Sequence, residues 1–171
     1  MLSMCILIYQ WGYDIMYFLE NVFRSNSFDL NDAVLTDYDI YFDENSKKYN
    51  SFSLDDEDLP NLHRFIKALK VKDPNSKFFV LTYGCDLISD NGKKYTYADQ
   101  LWIDTNLGIY EVKNLVSVIG LTEPSAIRYF CNCNEIEYYQ VYLISRSKNG
   151  ESIISKIEKE KVNQVITLYW D

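Results

Sequence analysis

Residues 53–83 read SLDDEDLPNLHRFIKALKVKDPNSKFFVLTY, and this stretch predicts an amphipathic helix followed by a strand. Ser53 is a candidate N-cap for the helix, and the acids that follow it suit a first turn, where the helix dipole favours negative charge. The motif Asp73-Pro74-Asn75 predicts its end. Residues 77–83, KFFVLTY, are apolar and rich in aromatic and branched side chains, which predicts a strand. The buried stripe of the helix is formed by apolar residues at helical spacing, namely Leu59, Leu62, Ile66 and Leu69.

The pattern on either side of this stretch indicates a mixed α+β chain. Apolar residues at helical spacing predict a first helix over 11–24, and alternation predicts a strand over 37–43. The motif Asp90-Asn91-Gly92 is typical of a tight hairpin turn. Further strands are predicted over 94–104, 137–146, 151–158 and 163–170, with a turn at 147–150. We therefore expect a single α+β domain over residues 1–171, with two or three helices packed on an antiparallel sheet and a C-terminal β-meander.

Composition excludes several broad classes. The 171 residues are 47% apolar and 25% charged, which is enough apolar surface for a globular core and argues against general disorder. A net charge of −8 argues against broad nucleic-acid binding. Four scattered cysteines and the single histidine, His63, lack the spacing of a metal site, so we expect neither metal nor cofactor. With no apolar run that could span a membrane and no signal peptide, we expect a cytoplasmic protein with reduced thiols.

The acidic residues are concentrated in the first third of the chain. Residues 1–60 hold 12 acids and three bases, whereas residues 61–171 hold 13 acids and 14 bases. Such a region can steer a basic partner toward the protein. The alternative is a solvated acidic surface that only keeps the protein soluble, and charge alone leaves both interpretations open.

Residues 97–114 permit one catalytic interpretation. The spacing of Asp99, Glu111 and Lys113 resembles the D…E-x-K core of the PD-(D/E)XK nucleases. That resemblance implies a strand at 111–113, a Mg²⁺ held by the two carboxylates and a lysine that stabilises developing charge. Apolar spacing instead favours a helix over 108–119, with Asn106 as its cap and Gly120 closing it. On a helix, Glu111 and Lys113 would lie on different faces.

Three fragments resemble the small acidic immunity proteins of bacterial toxin–immunity pairs. They are Thr96–Thr105 (TYADQLWIDT), Glu123–Ile127 (EPSAI) and Thr167–Asp171 (TLYWD). The resemblance implies a non-catalytic cytoplasmic protein that binds and blocks one cognate toxin. Many such toxins are basic nucleases, which would suit the acidic first third by analogy.

The leading hypothesis is therefore an acidic binding protein with a basic protein partner. In this hypothesis the carboxylates meet the partner and two tyrosines among them supply anchoring contacts. An assembly subunit that pairs through the edges of its tyrosine-rich C-terminal strands is a further alternative. The proposed partner-binding residues are Asp37, Tyr38, Asp39, Tyr41, Asp43, Glu44, Asp55, Asp56, Glu57 and Asp58.

Overall fold

A computed structural model describes residues 28, 32–43, 50–82, 87–88, 94–130, 140–157 and 165–171. The helix predicted over 11–24, the hairpin turn Asp90-Asn91-Gly92 and all four cysteines lie outside these residues. Three helices are present in the described part: α1 (Tyr38–Tyr41), α2 (Leu59–Lys72) and α3 (Ile109–Ile119). The strands there are β1 (Ala33–Asp37), β2 (Asn50–Phe52), β3 (Lys77–Thr82), β4 (Leu87–Ile88), β5 (Lys94–Ala98), β6 (Gln100–Asp104), β7 (Ala126–Tyr129), β8 (Val141–Arg146), β9 (Ser152–Ile157) and β10 (Ile166–Tyr169).

Seven of these strands form one sheet in the order β7-β10-β6-β3-β1-β8-β9. Every pairing in it is antiparallel except that of β1 with β8, which is parallel. A smaller sheet has the order β2-β5-β4, with β2 parallel to β5. The α+β single-domain class, with helices on a mostly antiparallel sheet and strands in the C-terminal third, is confirmed.

The helices α2 and α3 cover one face of the large sheet. Strand residues alternate between the two faces, so Val80 of β3 and Leu101 of β6 point toward the helices. They meet Leu62, Phe65 and other residues of the buried stripe of α2, all within one apolar cluster. Burial of this stripe stabilises α2 far more than its intrinsic helix propensity does.

The opposite face of the sheet is also buried. Phe79 and Leu81 alternate with the helix-facing residues of β3, and Trp102 does so on β6; together with Leu35 they form a second apolar cluster. Trp102 is fully buried, and its indole N–H donates to the side-chain oxygen of Gln100 at 3.3 Å. A sheet buried on both faces explains why residues 78–81, FFVL, are continuously apolar rather than alternating.

A buried carboxylate joins the end of α2 to the start of α3. The side chain of Asp73 accepts hydrogen bonds from the backbone N–H of Asn106 at 2.8 Å and from the Thr105 hydroxyl at 2.7 Å. It also accepts one from the backbone N–H of Asn75 at 3.2 Å. These bonds, led by that of Asn106, lower the pKa of Asp73 to about 2. The residue that ends α2 therefore also fixes the loop that leads into α3.

Several predicted elements differ from the structure in their bounds. The segment 37–43 is not a strand: β1 ends at Asp37, whose side chain accepts from the backbone N–H of Asp39 at 3.0 Å and so starts the short helix α1. Helix α2 begins at Leu59 rather than after Ser53, with Pro60 in its first turn, a position that proline favours. The Ser53 hydroxyl instead donates to the Trp170 carbonyl at 3.2 Å.

The strand predicted over 94–104 is two strands, β5 and β6, which belong to different sheets and meet at Asp99. The predicted C-terminal β-meander is wrong in one respect, because the last strand does not pair with the strand before it. Strands β8 and β9 form a hairpin whose turn contains Gly150 with a φ of +84°. Strand β10 is near the other edge of the same sheet, between β7 and β6. Alternation along a strand identifies the strand but does not identify its neighbour.

Replacing Leu62 with Ala tests the contact between α2 and the sheet. The side chain is fully buried, so its loss should lower the free energy of unfolding by about 2–5 kcal/mol. Val71→Ala on the same helix is the control, because Val71 is 76% exposed and should change stability by less than about 0.5 kcal/mol. Urea unfolding measures both variants, and equal effects would contradict the assigned faces of α2.

Replacing Asp73 with Asn tests the link between the two helices. The folded pKa is below the ordinary value of 3.8, so the carboxylate contributes stability above pH 3.8 that is lost as the pH falls toward 2. We expect Asp73→Asn to lower the thermal midpoint at neutral pH and to flatten its dependence on pH between these two values. If the variant kept the wild-type dependence of the thermal midpoint on pH below 3.8, the hydrogen-bond network around Asp73 would be contradicted.

Candidate functional site

An aromatic cluster surrounds Phe42, the residue that follows α1. Its ring lies 4.7 Å from the ring of Tyr38, 5.1 Å from that of Tyr41 and 5.6 Å from that of Phe52, measured between centroids. The His63 ring meets the Phe42 ring edge-on at 5.5 Å. Such tilted and edge-to-face contacts are the favoured geometry of aromatic pairs, so the cluster is well packed.

Two hydroxyl groups fix this cluster to its neighbours. The Tyr38 hydroxyl forms a hydrogen bond with Nδ1 of His63, and burial raises the pKa of Tyr38. The Tyr41 hydroxyl donates to the Ser51 carbonyl at 2.7 Å, and the Asn50 side-chain amide donates to the Tyr41 carbonyl at 2.6 Å. Helix α1, strand β2 and the first turns of α2 are thereby held together. His63 has a structural role in this arrangement, as a partner of Tyr38.

An open groove of about 650 Å³ lies over the cluster. We call it the aromatic groove. Phe42 and Phe52 are only half-buried, and both line it. Its volume lies within the range of pockets that bind small molecules. The described residues that line it are Tyr41, Phe42, Asn50, Ser51, Phe52, Leu54, Asp55, Asp56, Leu59, Pro60 and His63.

The acidic loop, Asp55–Asp58, borders this groove through Asp55 and Asp56. Its backbone closes a turn in which the Asp55 carbonyl accepts from the N–H groups of Asp58 at 2.9 Å and Leu59 at 3.2 Å. The side chains of Asp55, Asp56 and Glu57 are exposed, and that of Asp58 is half-buried. The loop lies at the N-terminus of α2, where the helix dipole favours negative charge. Four acids are thus concentrated beside an aromatic surface.

Two other acids of the first third, Asp37 and Asp39, lie elsewhere. Asp39 pairs with Lys70 near the far end of α2, with 3.7 Å between the charged atoms, and burial raises the pKa of Asp37. Lys70 is 12 residues beyond Asp58, which is about 18 Å along the helix axis. The acidic residues proposed from the sequence therefore do not form one continuous surface, because the basic end of α2 neutralises one part of them.

The two tyrosines proposed as anchors are part of the core. Tyr38 is 6% exposed and Tyr41 is 1% exposed, so neither ring is presented to a partner. They support Phe42 and Phe52 instead, which are the half-buried aromatic residues that line the groove and that the sequence did not single out. Asp43 is half-buried beside Phe42, and Glu44 lies outside the described residues. The available signal in the sequence was a Phe close to acids, since Phe42 precedes Asp43 and Phe52 precedes the acidic loop.

The segment proposed for nuclease chemistry is a helix, so the alternative that needed a strand is wrong. Residues 109–119 form α3, which begins after Gly108 and ends at Gly120 with a φ of +72°. Asn106 does not cap the helix. Glu111 accepts from the backbone N–H of Gly108 at 2.9 Å, which is a capping role, and lies about 200° around the helix from the exposed Lys113.

Neither a metal-ligand cluster nor a membrane-spanning helix is found in the described residues. Among the described residues, no three or more His, Cys, Asp or Glu side chains are grouped so that they could hold a metal ion. No helix in the described ranges is long and apolar enough to cross a membrane.

Comparison with protein-family models, with curated proteins and with solved structures found no match for this chain. The site is therefore described by its geometry alone, which is that of an open groove with aromatic and acidic walls beside the first turns of a helix.

Parts of the three fragments TYADQLWIDT, EPSAI and TLYWD lie on adjacent strands of the large sheet. Leu168 of β10 is paired with Leu101 of β6 on one side and with Ile127 of β7 on the other. The Trp170 indole N–H also donates to the Thr122 carbonyl at 2.9 Å. These fragments form one framework of three adjacent strands, and they do not include the acidic loop.

Replacing Tyr38 with Phe tests the contact that holds His63. Loss of one hydrogen bond should lower the free energy of unfolding by about 1 kcal/mol at neutral pH. Because the folded pKa of Tyr38 is raised, its contribution is present below pH 10 and is lost as the pH rises above that value. The variant should therefore also lose stability less steeply in alkali, as followed by thermal unfolding. Tyr110→Phe is the control, since Tyr110 is 83% exposed, and equal effects in the two variants would contradict this role.

Proposed function

We propose that this chain is a non-catalytic binding protein that neutralises a basic partner by direct contact through the acidic loop. The partner would be a toxin of the basic nuclease type, and the chain its cytoplasmic immunity protein. The observation that carries the proposal is the placement of the acidic loop: the exposed Asp55 and Asp56 line a groove with aromatic walls, and the next residue, Glu57, is also exposed.

Electrostatic complementarity supports this choice of partner. Exposed carboxylates raise the rate at which a basic protein is captured, and they suppress contact with acidic ones. Aromatic side chains at the centre of an interface supply much of its affinity. The site contains both carboxylates and aromatic rings, with the carboxylates on the rim and Phe42 and Phe52 within. This division resembles the polar rim and apolar centre of known protein interfaces.

The toxin class rests on the resemblance of the three fragments, together with the net charge of −8. A basic nuclease exposes the cationic surface with which it contacts phosphates. An acidic loop that covers this surface would block the activity without any chemistry of its own. The cytoplasmic location follows from the same proposal, since an immunity protein acts where its toxin would do damage.

The first test is a partner capture with charge-matched variants. The protein is tagged and used to capture its partner from a lysate of the source cells. The loop variant carries Asp55→Asn, Asp56→Asn and Glu57→Gln. The control variant carries Asp104→Asn, Glu123→Gln and Glu151→Gln, which neutralise three other exposed acids and give the same net charge. We expect one basic protein with the wild type and the control, and its loss with the loop variant.

The captured protein is then purified and its association measured by stopped flow. The rate should fall roughly tenfold or more between low and high salt, and excess wild-type protein should abolish the activity of the partner. Equal capture by both variants, or an association rate independent of salt, would contradict binding of the partner through the acidic loop. A partner whose activity persists in the complex would remove neutralisation.

A further inference from the structure

The aromatic groove combines two surfaces that recognise the same chemical group. Asp55 and Asp56 supply carboxylates, which accept charge-assisted hydrogen bonds from a cation. Phe42 and Phe52 supply aromatic rings, which attract a cation to their faces. Among the described residues that line the groove, no Lys or Arg is present to neutralise this environment.

We propose that the groove binds the side chain of an arginine presented by the partner. The guanidinium lies between the carboxylates of Asp55 and Asp56 and the rings of Phe42 and Phe52. This inference rests on the proposed function for the origin of the arginine, but the groove recognises the group itself and can be tested with a peptide.

Arginine suits this groove better than lysine for two physical reasons. Its planar guanidinium has five N–H donors, so that it reaches two carboxylates while its face stacks on an aromatic ring. It is also more weakly hydrated than an ammonium group, so less hydration is lost when it enters a half-apolar site. A lysine ammonium is also attracted to a ring face, but as a compact charge it lacks the planar fork that reaches two carboxylates while stacking on a ring.

The walls of the groove are already organised before a ligand binds. Phe42 packs against Tyr38, Tyr41 and His63, and Phe52 packs edge-to-face against Trp170 at 5.6 Å. The carboxylates lie on a loop that is closed by two backbone hydrogen bonds. A ligand therefore orders few side chains on binding, which favours affinity.

The test is a titration of the full chain with three short peptides, acetyl-Gly-Xaa-Gly-amide, in which Xaa is arginine, lysine or citrulline. Citrulline has nearly the shape of arginine but no charge. Binding is followed by nuclear magnetic resonance of the backbone amides at low salt. We expect the arginine peptide to shift signals of residues 50–63 and to bind roughly tenfold to hundredfold more tightly than the citrulline peptide. The lysine peptide should lie between them.

Two variants assign the contribution of each wall. Asp55→Asn with Asp56→Asn should abolish the preference for arginine over citrulline. Phe52→Leu keeps the site apolar but removes a ring, and should reduce the preference for arginine over lysine. Asp104→Asn with Glu123→Gln is the control and should change neither. The comparison of the three peptides on the wild type needs no variant, so it remains decisive if Phe52→Leu fails to fold.

Equal binding of the arginine and citrulline peptides, or shifts confined to residues outside 50–63, would overturn the arginine site. This failure is distinguishable from failure of the proposed function. A partner captured through the acidic loop but unaffected by Phe52→Leu would retain the binding function and remove the groove. An arginine peptide that binds in the groove, with no partner captured, would retain the groove and remove the toxin.

Discussion

The contact between the apolar stripe of α2 and the central strands of the sheet is the constraint on which the structure depends. Phe65 and Leu69 are fully buried there, in the same cluster as Val80 of β3. Once α2 is fixed, its first turns position His63 and the acidic loop, and its last turn positions Asp73. The candidate site and the link to α3 are therefore at opposite ends of one helix.

This arrangement separates the acidic loop from the framework. The framework is the three strands β6, β10 and β7 with Trp170, whose hydrogen bonds reach Ser53, Asp99 and Thr122. The acidic loop contributes little to that framework, because three of its four side chains are exposed. Substitutions in the loop can then change binding while they leave the fold largely intact, which is how loops on a rigid scaffold usually carry function.

The sequence was sufficient for the elements with strong periodicity. The end of α2 at Asp73 and the strand over 77–82 were predicted because an apolar stripe and a turn motif coincide there. Gly120 was predicted as the end of α3 because a left-handed residue at that position favours glycine. The short helix at 38–41 was missed, since its alternating apolar residues also suit a strand and only the cap by Asp37 decides between them.

The candidate site was only partly predictable, because it depends on contacts between distant segments. The sequence predicts Asp55–Asp58 as the start of a helix and as part of a binding surface, whereas in the fold they form a turn before α2, with three of the four side chains exposed. Asp37 and Asp39 were grouped with them, although Lys70 pairs with Asp39 in the fold. The tyrosines were chosen as anchors by their position among acids, whereas Phe42 and Phe52 are the rings that face the groove. Charge and aromatic content identify such a surface by composition, and only packing shows which residues are exposed.

The central claim is that the acidic loop and the aromatic groove form the binding surface. Its most direct test is amide hydrogen exchange of the chain with and without its captured partner. We predict protection of the backbone amides over residues 50–63, which include β2, the acidic loop and the first turns of α2. Protection confined to α3, to β7 or to the hairpin of β8 and β9, with no change over 50–63, would contradict it.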